Sequence, residues 1–342
     1  MAVRRPSWKC RTGPGPLPVN VRADGTRESV CRSCWAVAEP GKAASEGDPD
    51  LMSQTGSGGP GRRAISERHA GRGPAALSRG TVPAMTGALF DLGTVPDAYE
   101  RYLVPPIFRP WANTLVDFAN VSTGEVVLDV ASGTGVVAAT AADRVGDAGR
   151  VVATDVSGAM LALASAAHPM IETIETAADE LAVGNSSFDL ALCQQGFQFL
   201  TDRPAAAQAM KRALRSSGRL ALAVWMSGSL LEPFDVYGRV LERHGMPEPF
   251  PRAYAYDFSM SPGEVDDVLT AAGFTSVEVE SKVLEVSWPT LDDAVNGIAG
   301  TPYGPAVAAL DHEDQRRIFA ALREELHLVH PMTAVLARGR KP

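Results

Sequence analysis

The chain has 342 residues, 45% of them hydrophobic and 21% charged, enough apolar side chain for one large or two ordinary packed domains. Its net charge of −8 is not the basic field of a constitutive nucleic-acid binder, so no nucleic-acid partner is expected. No window approaches 18 uninterrupted apolar residues, and Arg4 and Arg5 lead into no apolar run, so neither a membrane span nor a secretory leader is expected and the cytoplasm is the expected compartment.

The four cysteines are Cys10, Cys31, Cys34 and Cys193. Cys31 and Cys34 form a lone C-x-x-C with no second pair at zinc-ligand spacing, and Cys10 and His69 have no fold around them to complete a site, so no metal is expected. The character of the chain changes near Met85. Residues 1–84 contain 12 Gly and 9 Pro and carry a net +6, against −14 over 85–342. Tracts such as Gly56-Ser57-Gly58-Gly59-Pro60-Gly61 read as low-complexity and disordered. The first 84 residues are therefore expected to be an appendage, with Met85 a plausible natural start.

From there helices and strands alternate. A helix is expected over Tyr99–Ala119, interrupted around Pro105, Pro106 and Pro110. Val126–Val130 is a short apolar run ending at glycines, hence a buried strand, and Val136–Val145 has helical spacing. Arg150–Asp155 reads as the next strand, and Ser157 caps a helix running to Ala167. Strands follow at Ile171–Thr176 and Phe188–Cys193, then a helix at Pro204–Leu214. The turn Ser216-Ser217-Gly218 leads into a strand at Arg219–Trp225. This rhythm predicts an α/β fold with a mostly parallel sheet and helices on both faces. The stretch Leu230–Phe258 reads as an insertion or lid, within about 228–260. Ser261 caps a helix over Pro262–Ala272, a strand lies around Val277–Val286, helices at Leu291–Ala299 and Glu313–Leu326, and a closing strand at Met332–Arg338.

The informative stretch is VVLDVASGTGVVA, Val126 to Ala138. Gly133 and Gly135 allow a tight turn and close approach of a ligand, and the helix that follows offers free N–H groups and a positive dipole end. Twenty residues beyond Gly135 stands Asp155, at a strand end where a carboxylate accepts hydrogen bonds from both hydroxyls of a ribose. Gly133-x-Gly135-x-x-Ala138 also satisfies the dinucleotide fingerprint, so a nicotinamide-dependent oxidoreductase competes at this point. Three features favour another adenosine cofactor. Asp129 lies inside the first strand, where dinucleotide folds keep an apolar residue. The run ADELAVGNSSFDLALCQQG, Ala178–Gly196, follows where an adenine loop and fourth strand belong, and LRSSGRLALAVW, Leu214–Trp225, closes the half-sheet.

These segments resemble class I S-adenosylmethionine-dependent methyltransferases, and most of all the ubiquinone/menaquinone C-methyltransferase-like group. The resemblance runs from about Phe90 to Arg338. It includes PDAYERYLVPPIFRPWA, Pro96–Ala112, similar to a cofactor-covering segment, and PMTAVLARG, Pro331–Gly339, similar to the last strand. It implies a Rossmann-like sheet of seven strands with the last reversed, S-adenosyl-L-methionine as cofactor, and a small-molecule methyl acceptor. It places Ala131, Ser132, Gly133, Thr134 and Gly135 around the amino-acid end of the cofactor, with Asp129 orienting the loop. Asp155 would hold the ribose, Val156 and Met160 would pack near the adenine, Ala177 and Ala178 fall in the adenine loop, and Gln194 falls beside the sulfonium. Ala131 stands where the family has its first glycine, and Ala177 where an Asp is common, with Asp179 two residues on. GFQFLTD lacks the Arg-Asn pair of true quinone enzymes, which favours a secondary-metabolite or lipid-like acceptor.

Two groups of aromatics attract attention. Tyr99, Arg101 and Tyr102 are placed to close over the cofactor, and aromatic faces attract a sulfonium. Trp225, Phe234, Tyr237, Tyr254 and Tyr256 are candidates for an apolar acceptor pocket. His168, His244, His312, His327 and His330 are expected in helices or loops away from the cofactor edge. No catalytic base is therefore assigned: transfer from a sulfonium mainly requires alignment and exclusion of water.

Overall fold

A computed structural model of the protein describes residues 92–246 and 259–342, together with the backbone of two short strands, β1 (Val19–Val21) and β2 (Arg27–Ser29), which pair antiparallel. By internal contacts the chain divides into two units, 1–75 and 76–342. The expectation for the rest of residues 1–84, including Cys10, Cys31, Cys34 and His69, lies outside the described residues, as do Tyr254 and Tyr256.

In the second unit the chain runs through α1 (Val95–Ala98), a π-helical segment (Tyr99–Phe108), α2 (Arg109–Phe118), β3 (Val126–Val130), α3 (Val136–Val145), β4 (Arg150–Asp155), α4 (Gly158–Ala167) and β5 (Glu172–Glu175). It continues through β6 (Phe188–Gln194), a 3-10 turn (Phe197–Phe199), α5 (Arg203–Ala213), β7 (Leu214–Trp225), α6 (Phe234–Arg243), α7 (Pro262–Ala271) and β8 (Thr275–Ser287). The last elements are α8 (Leu291–Asn296), a 3-10 turn (Gly297–Gly300), α9 (Gly304–Ala308), α10 (His312–Glu325) and β9 (Val329–Arg340). The seven strands pair in the order β5-β4-β3-β6-β7-β9-β8. All neighbouring pairs are parallel except those of β9, which runs antiparallel to both β7 and β8. This is the predicted Rossmann-like sheet with its final strand reversed.

The central strands β3, β4, β6 and β7 are buried on both faces, which is why they read as apolar runs rather than as alternating ones. Val127, Leu190, Leu192, Ala223, Trp225, Ala334 and Leu336 share one core with the π segment, α2 and α3. Leu128, Val130, Ala191, Cys193, Leu222, Val224 and Val335 share the other with α5 and α7. By strand alternation Asp129 lies on the first of these faces with Val127, and Gln194 with Leu192.

Four expectations are corrected. The helix from Val95 to Phe118 is not broken at its prolines: the backbone widens into a π turn across Pro105 and Pro106, which relieves the clash a proline ring makes with an α-helical carbonyl. Pro110 falls where the π turn gives way to α geometry at the start of α2. The turn at Ser216–Gly218 lies within β7, whose ladder already starts at the Phe188–Leu214 pair and shifts register before Leu190–Arg219. Finally, β9 begins three residues earlier than expected, so His330 is a strand residue paired opposite Val286. It is buried to 4% exposure, not a helix or loop residue. Among the described residues no helix is long and apolar enough to cross a membrane, and no group of three or more His, Cys, Asp or Glu is placed to hold a metal ion.

Candidate functional site

The strand order reverses between β3 and β6, and ligands of open α/β sheets bind in the crevice beyond the carboxyl ends of strands at such a point. Residues 131–135 cross this crevice between β3 and α3. The loop is held by its own backbone: the Ser132 N–H donates to the Thr154 carbonyl at 3.0 Å and the Gly135 N–H to the Ser132 carbonyl at 2.9 Å. Gly135 has φ +85°, and a Cβ on it would stand 2.9 Å from that of Ala164 in α4. Both facts require glycine there. Gly133, at φ +53°, faces open space. No side chain caps α3, so its positive end faces the crevice.

Ala131 also adopts a left-handed conformation, φ +54°, where an alanine is strained by its Cβ. That Cβ is accommodated by Gly196, just past β6, on which an added Cβ would lie 2.5 Å away. Ala131 is thus matched by a glycine on the opposite wall.

Asp155 ends β4 and joins the loop to the next helix. One carboxylate oxygen accepts from the Gly133 N–H at 2.8 Å and the other from the Ser157 N–H at 2.9 Å. Asp155 thus ties the glycine loop to the start of α4 at the edge where a ribose is expected. Ser157 in turn caps α4 through Met160 N–H. Val156 is 42% exposed although apolar, whereas Met160 and Ala178 are buried and Ala177 half-buried. The paired ends Asp155 and Glu175 bring these segments to one edge. Asp179 is exposed.

Buried polar atoms without partners concentrate at this edge. Both oxygens of Asp129, Ser132 Oγ, Thr134 Oγ1, Gln194 Oε1 and both side-chain ends of Gln195 are buried with no hydrogen bond of normal geometry. Burial pushes the Asp129 carboxyl well above the ordinary aspartate range; the Ala138 N–H opposes this and the Asp155 charge adds to it. A fold leaves few such atoms unpaired without a reason, and here they surround the loop. Gln195, which stands with Gln194 as a polar pair at the carboxyl edge of the sheet, is at φ +43°; Gln198, which the sequence reading does not single out, is 1% exposed and donates to the Gln195 carbonyl while its own Oε1 lacks a partner. Polar residues clustered just past a buried strand are the signal that marks them.

Gln194 Nε2 donates to the Phe108 carbonyl at 3.0 Å, tying the π segment to β6. Within that segment Tyr99 stacks on Phe108 with ring centres 4.8 Å apart, and the Arg101 guanidinium lies over the Tyr102 ring. Phe108 continues through Trp225 to Phe234 and Tyr237, with Trp111 against Trp225. Trp225, Phe234 and Tyr237, predicted as an acceptor wall, therefore form one aromatic series with the covering segment. The Tyr237 hydroxyl donates to the Ala294 carbonyl. His330 shares the face of Met332, Ala334 and Leu336, but it stands six residues along β9 from Leu336, which pairs with Ala223 beside Gln194. At about 3.4 Å per residue this is roughly 20 Å along the strand, too far to act as a base on anything held at Gln194.

Residues 127–218 match the family model described as a methyltransferase domain. With the sheet order and the reversed β9, the matched part of the chain is a methyltransferase domain set in a Rossmann-like sheet. Among curated relatives, the ubiquinone/menaquinone biosynthesis C-methyltransferase UbiE of Enterobacter sp. (strain 638) is 33% identical over 150 residues, covering 41% of this chain and 59% of the relative. Its counterpart from Escherichia coli O1:K1 / APEC is 31% identical over the same length. The match thus spans about three fifths of these relatives. A solved Haemonchus contortus phosphoethanolamine N-methyltransferase 2 with S-adenosyl-L-methionine is similar at 17% identity and a TM-score of 0.49, over 75% of this chain and 60% of that one.

Proposed function

We propose that the protein transfers a methyl group from S-adenosyl-L-methionine to a small-molecule acceptor, acting in the cytoplasm. The observation that carries this reading is the ring of unpartnered buried polar atoms, from Asp129, Ser132, Thr134 and Gln194, around the loop at the switch point. They fit a compact zwitterionic group at the amino-acid end of the cofactor, with residues 131–135 and the start of α3 against its carboxylate and Asp129 against its ammonium. Asp155 takes the ribose, and Val156, Met160, Ala177 and Ala178 form the adenine surface.

The cofactor, when bound, supplies an electrophilic methyl on sulfur. The protein's share is to hold an acceptor in line and keep water out, an effect of about 7–11 kcal/mol in well-oriented systems. Gln194 anchors the covering segment through Phe108. Tyr99, Phe108, Trp225 and Phe234 offer an apolar, π-rich wall that suits a ring-bearing or lipid-like acceptor. The UbiE relatives support a quinone-like member of that class, and the missing Arg-Asn pair favours a secondary-metabolite or lipid-like one.

Calorimetric titration with adenosylmethionine and with NAD(P)H separates the cofactors. Binding of adenosylmethionine alone is expected; binding of the nicotinamide alone would establish an oxidoreductase instead. Labelled-methyl transfer to a panel of phenols, quinols and hydroxylated lipids then identifies the acceptor. Cofactor binding with no transfer across a broad panel would point to a non-catalytic binding module.

A further inference from the structure

Gln195 is the residue at which β6 leaves the sheet. Its N–H still donates to the Ala223 carbonyl of β7 at 2.8 Å, two residues before Trp225, and Gly196 beside it packs against Ala131 of the cofactor loop. β6 lies between β3 and β7 in the sheet, so Gln195 stands at the carboxyl edge with the loop on one side and the aromatic wall on the other. Its backbone is held at φ +43°, a left-handed conformation that a residue with a Cβ adopts only against strain. Gln198 Nε2 donates to the Gln195 carbonyl at 2.9 Å. Only the nitrogen end of a carboxamide can donate, so this bond also fixes which way the Gln198 amide points. The Gln195 side chain is 5% exposed and has no partner at Nε2 or Oε1, and Gln198 Oε1 has none either. A strained backbone that buries an unpaired amide beside a ligand crevice marks that amide for something bound.

The unmet groups define the ligand. They are one donor, Gln195 Nε2, and two acceptors, the side-chain oxygens of Gln195 and Gln198. A hydroxyl meets this set, accepting from the nitrogen and donating to one oxygen. A carboxylate brings acceptors only and would face both amide oxygens, whereas an ammonium brings donors only and leaves the nitrogen unmet. Arg203, a cation in contact with this turn, donates to the Gln198 main-chain carbonyl, and its charge acts on Glu264 of α7. We propose that the Gln195 carboxamide binds a neutral hydroxyl of the methyl acceptor, with Gln198 as its positioning residue, so that the site selects hydroxylated ring compounds over carboxylates and amines of similar shape. Neither amide takes up a proton near neutral pH, so the pair orients the acceptor and does not deprotonate it. This rests on the methyltransferase reading above.

The test is calorimetric titration of the full chain, saturated with S-adenosylhomocysteine, using naphthol, naphthoate and naphthylmethylammonium as probes that share one ring system. Naphthol is expected to bind about tenfold more tightly than either ion. Gln195→Leu should abolish that preference while adenosylhomocysteine binds as before. Gln198→Met keeps the side-chain length but cannot donate, and should reduce the preference, a change in selectivity that a merely structural role would not produce. If Gln195→Leu does not fold, Gln195→Glu, of the same shape, should reverse the order in favour of the ammonium. Either ion binding as tightly as naphthol, a preference that survives Gln195→Leu, or no binding of any probe overturns the inference and leaves the cofactor assignment standing. Failure of adenosylhomocysteine to bind overturns that assignment itself.

Discussion

Replacing Gly196 by alanine places a new Cβ 2.5 Å from the Cβ of Ala131, and 3.4 Å from Cys193 Sγ and 3.5 Å from the Ala131 carbonyl. The last two are tight to ordinary contacts; the first is a clash between two short, unbending groups. The backbone at Gly196, φ −104°, accepts an alanine, so the cost comes from overpacking. Overpacking typically costs about 1–3 kcal/mol, less about 0.4–1 kcal/mol regained by restricting the unfolded chain. Gly196→Ala alone should therefore lose about 1–2 kcal/mol. Ala131→Gly relieves about 1 kcal/mol of left-handed strain and gives back about as much in unfolded-chain freedom, so by itself it should be near neutral. In the double variant the clash is gone and Gly196→Ala should cost little, leaving a coupling of about 1–2 kcal/mol. Urea unfolding of the four proteins measures it directly. At about 2–4 °C per kcal/mol for a unit of this size, thermal melts should show Gly196→Ala lower by several degrees and the double variant restored. Additivity within about 0.5 kcal/mol would refute the claim that Ala131 is tolerated because Gly196 yields space to it.

Other consequences follow from the polar groups. Asp155→Ala removes an ionic acceptor from the Gly133 and Ser157 N–H groups, and with the ribose contact should weaken adenosylmethionine binding at least tenfold, about 1.4 kcal/mol; equilibrium dialysis showing unchanged affinity would exclude Asp155 from the site. Glu125 is desolvated, yet its bidentate bonds to Arg219 and its bond from the Ser122 N–H hold its pKa below the ordinary glutamate value. The folded state thus binds this proton less readily than the unfolded one, so the contribution is present above the ordinary value and lost as pH falls through the lowered one. Arg219→Met should destabilise the protein near neutrality and flatten its acid-unfolding curve; a curve as steep as before would count against the pair. Burial lowers the His330 pKa, with Glu232, whose Oε1 lies 4.0 Å from Nδ1, partly offsetting it. Protonation therefore favours the unfolded chain, and stability should decline as pH drops below the ordinary histidine value of 6.5. His330→Gln should reduce that decline in melts run between about pH 7 and 5.

The legible parts of the sequence were those where one local rule acts alone. Val126–Val130 is β-branched and apolar, Gly133 and Gly135 can take positive φ, and Ser157 and Ser261 cap helices, so the strand–loop–helix unit and its neighbours could be placed within a residue or two. Pro105 and Pro106 were misleading because a proline is read against α-helix geometry, while packing of Leu103, Val104 and Ile107 into the core keeps the segment helical in a wider form. The early start of β9, which carries His330 inside, depends on pairing with Val286 across the β8 ladder, a contact that no local pattern announces. At the site, Asp129 and Gln194 stood out as polar residues in apolar strands. That they lack partners, and that Ala131 leans on Gly196, are facts of tertiary packing.

A crystal structure of the protein with S-adenosylhomocysteine tests the account most directly. The amino-acid end is expected against residues 131–135, with Asp129 and Gln194 Oε1 facing its ammonium. Both ribose hydroxyls are expected on Asp155, and the adenine between Val156 or Met160 and Ala178. Ligand bound elsewhere, or bound here with its ribose away from Asp155, would contradict it.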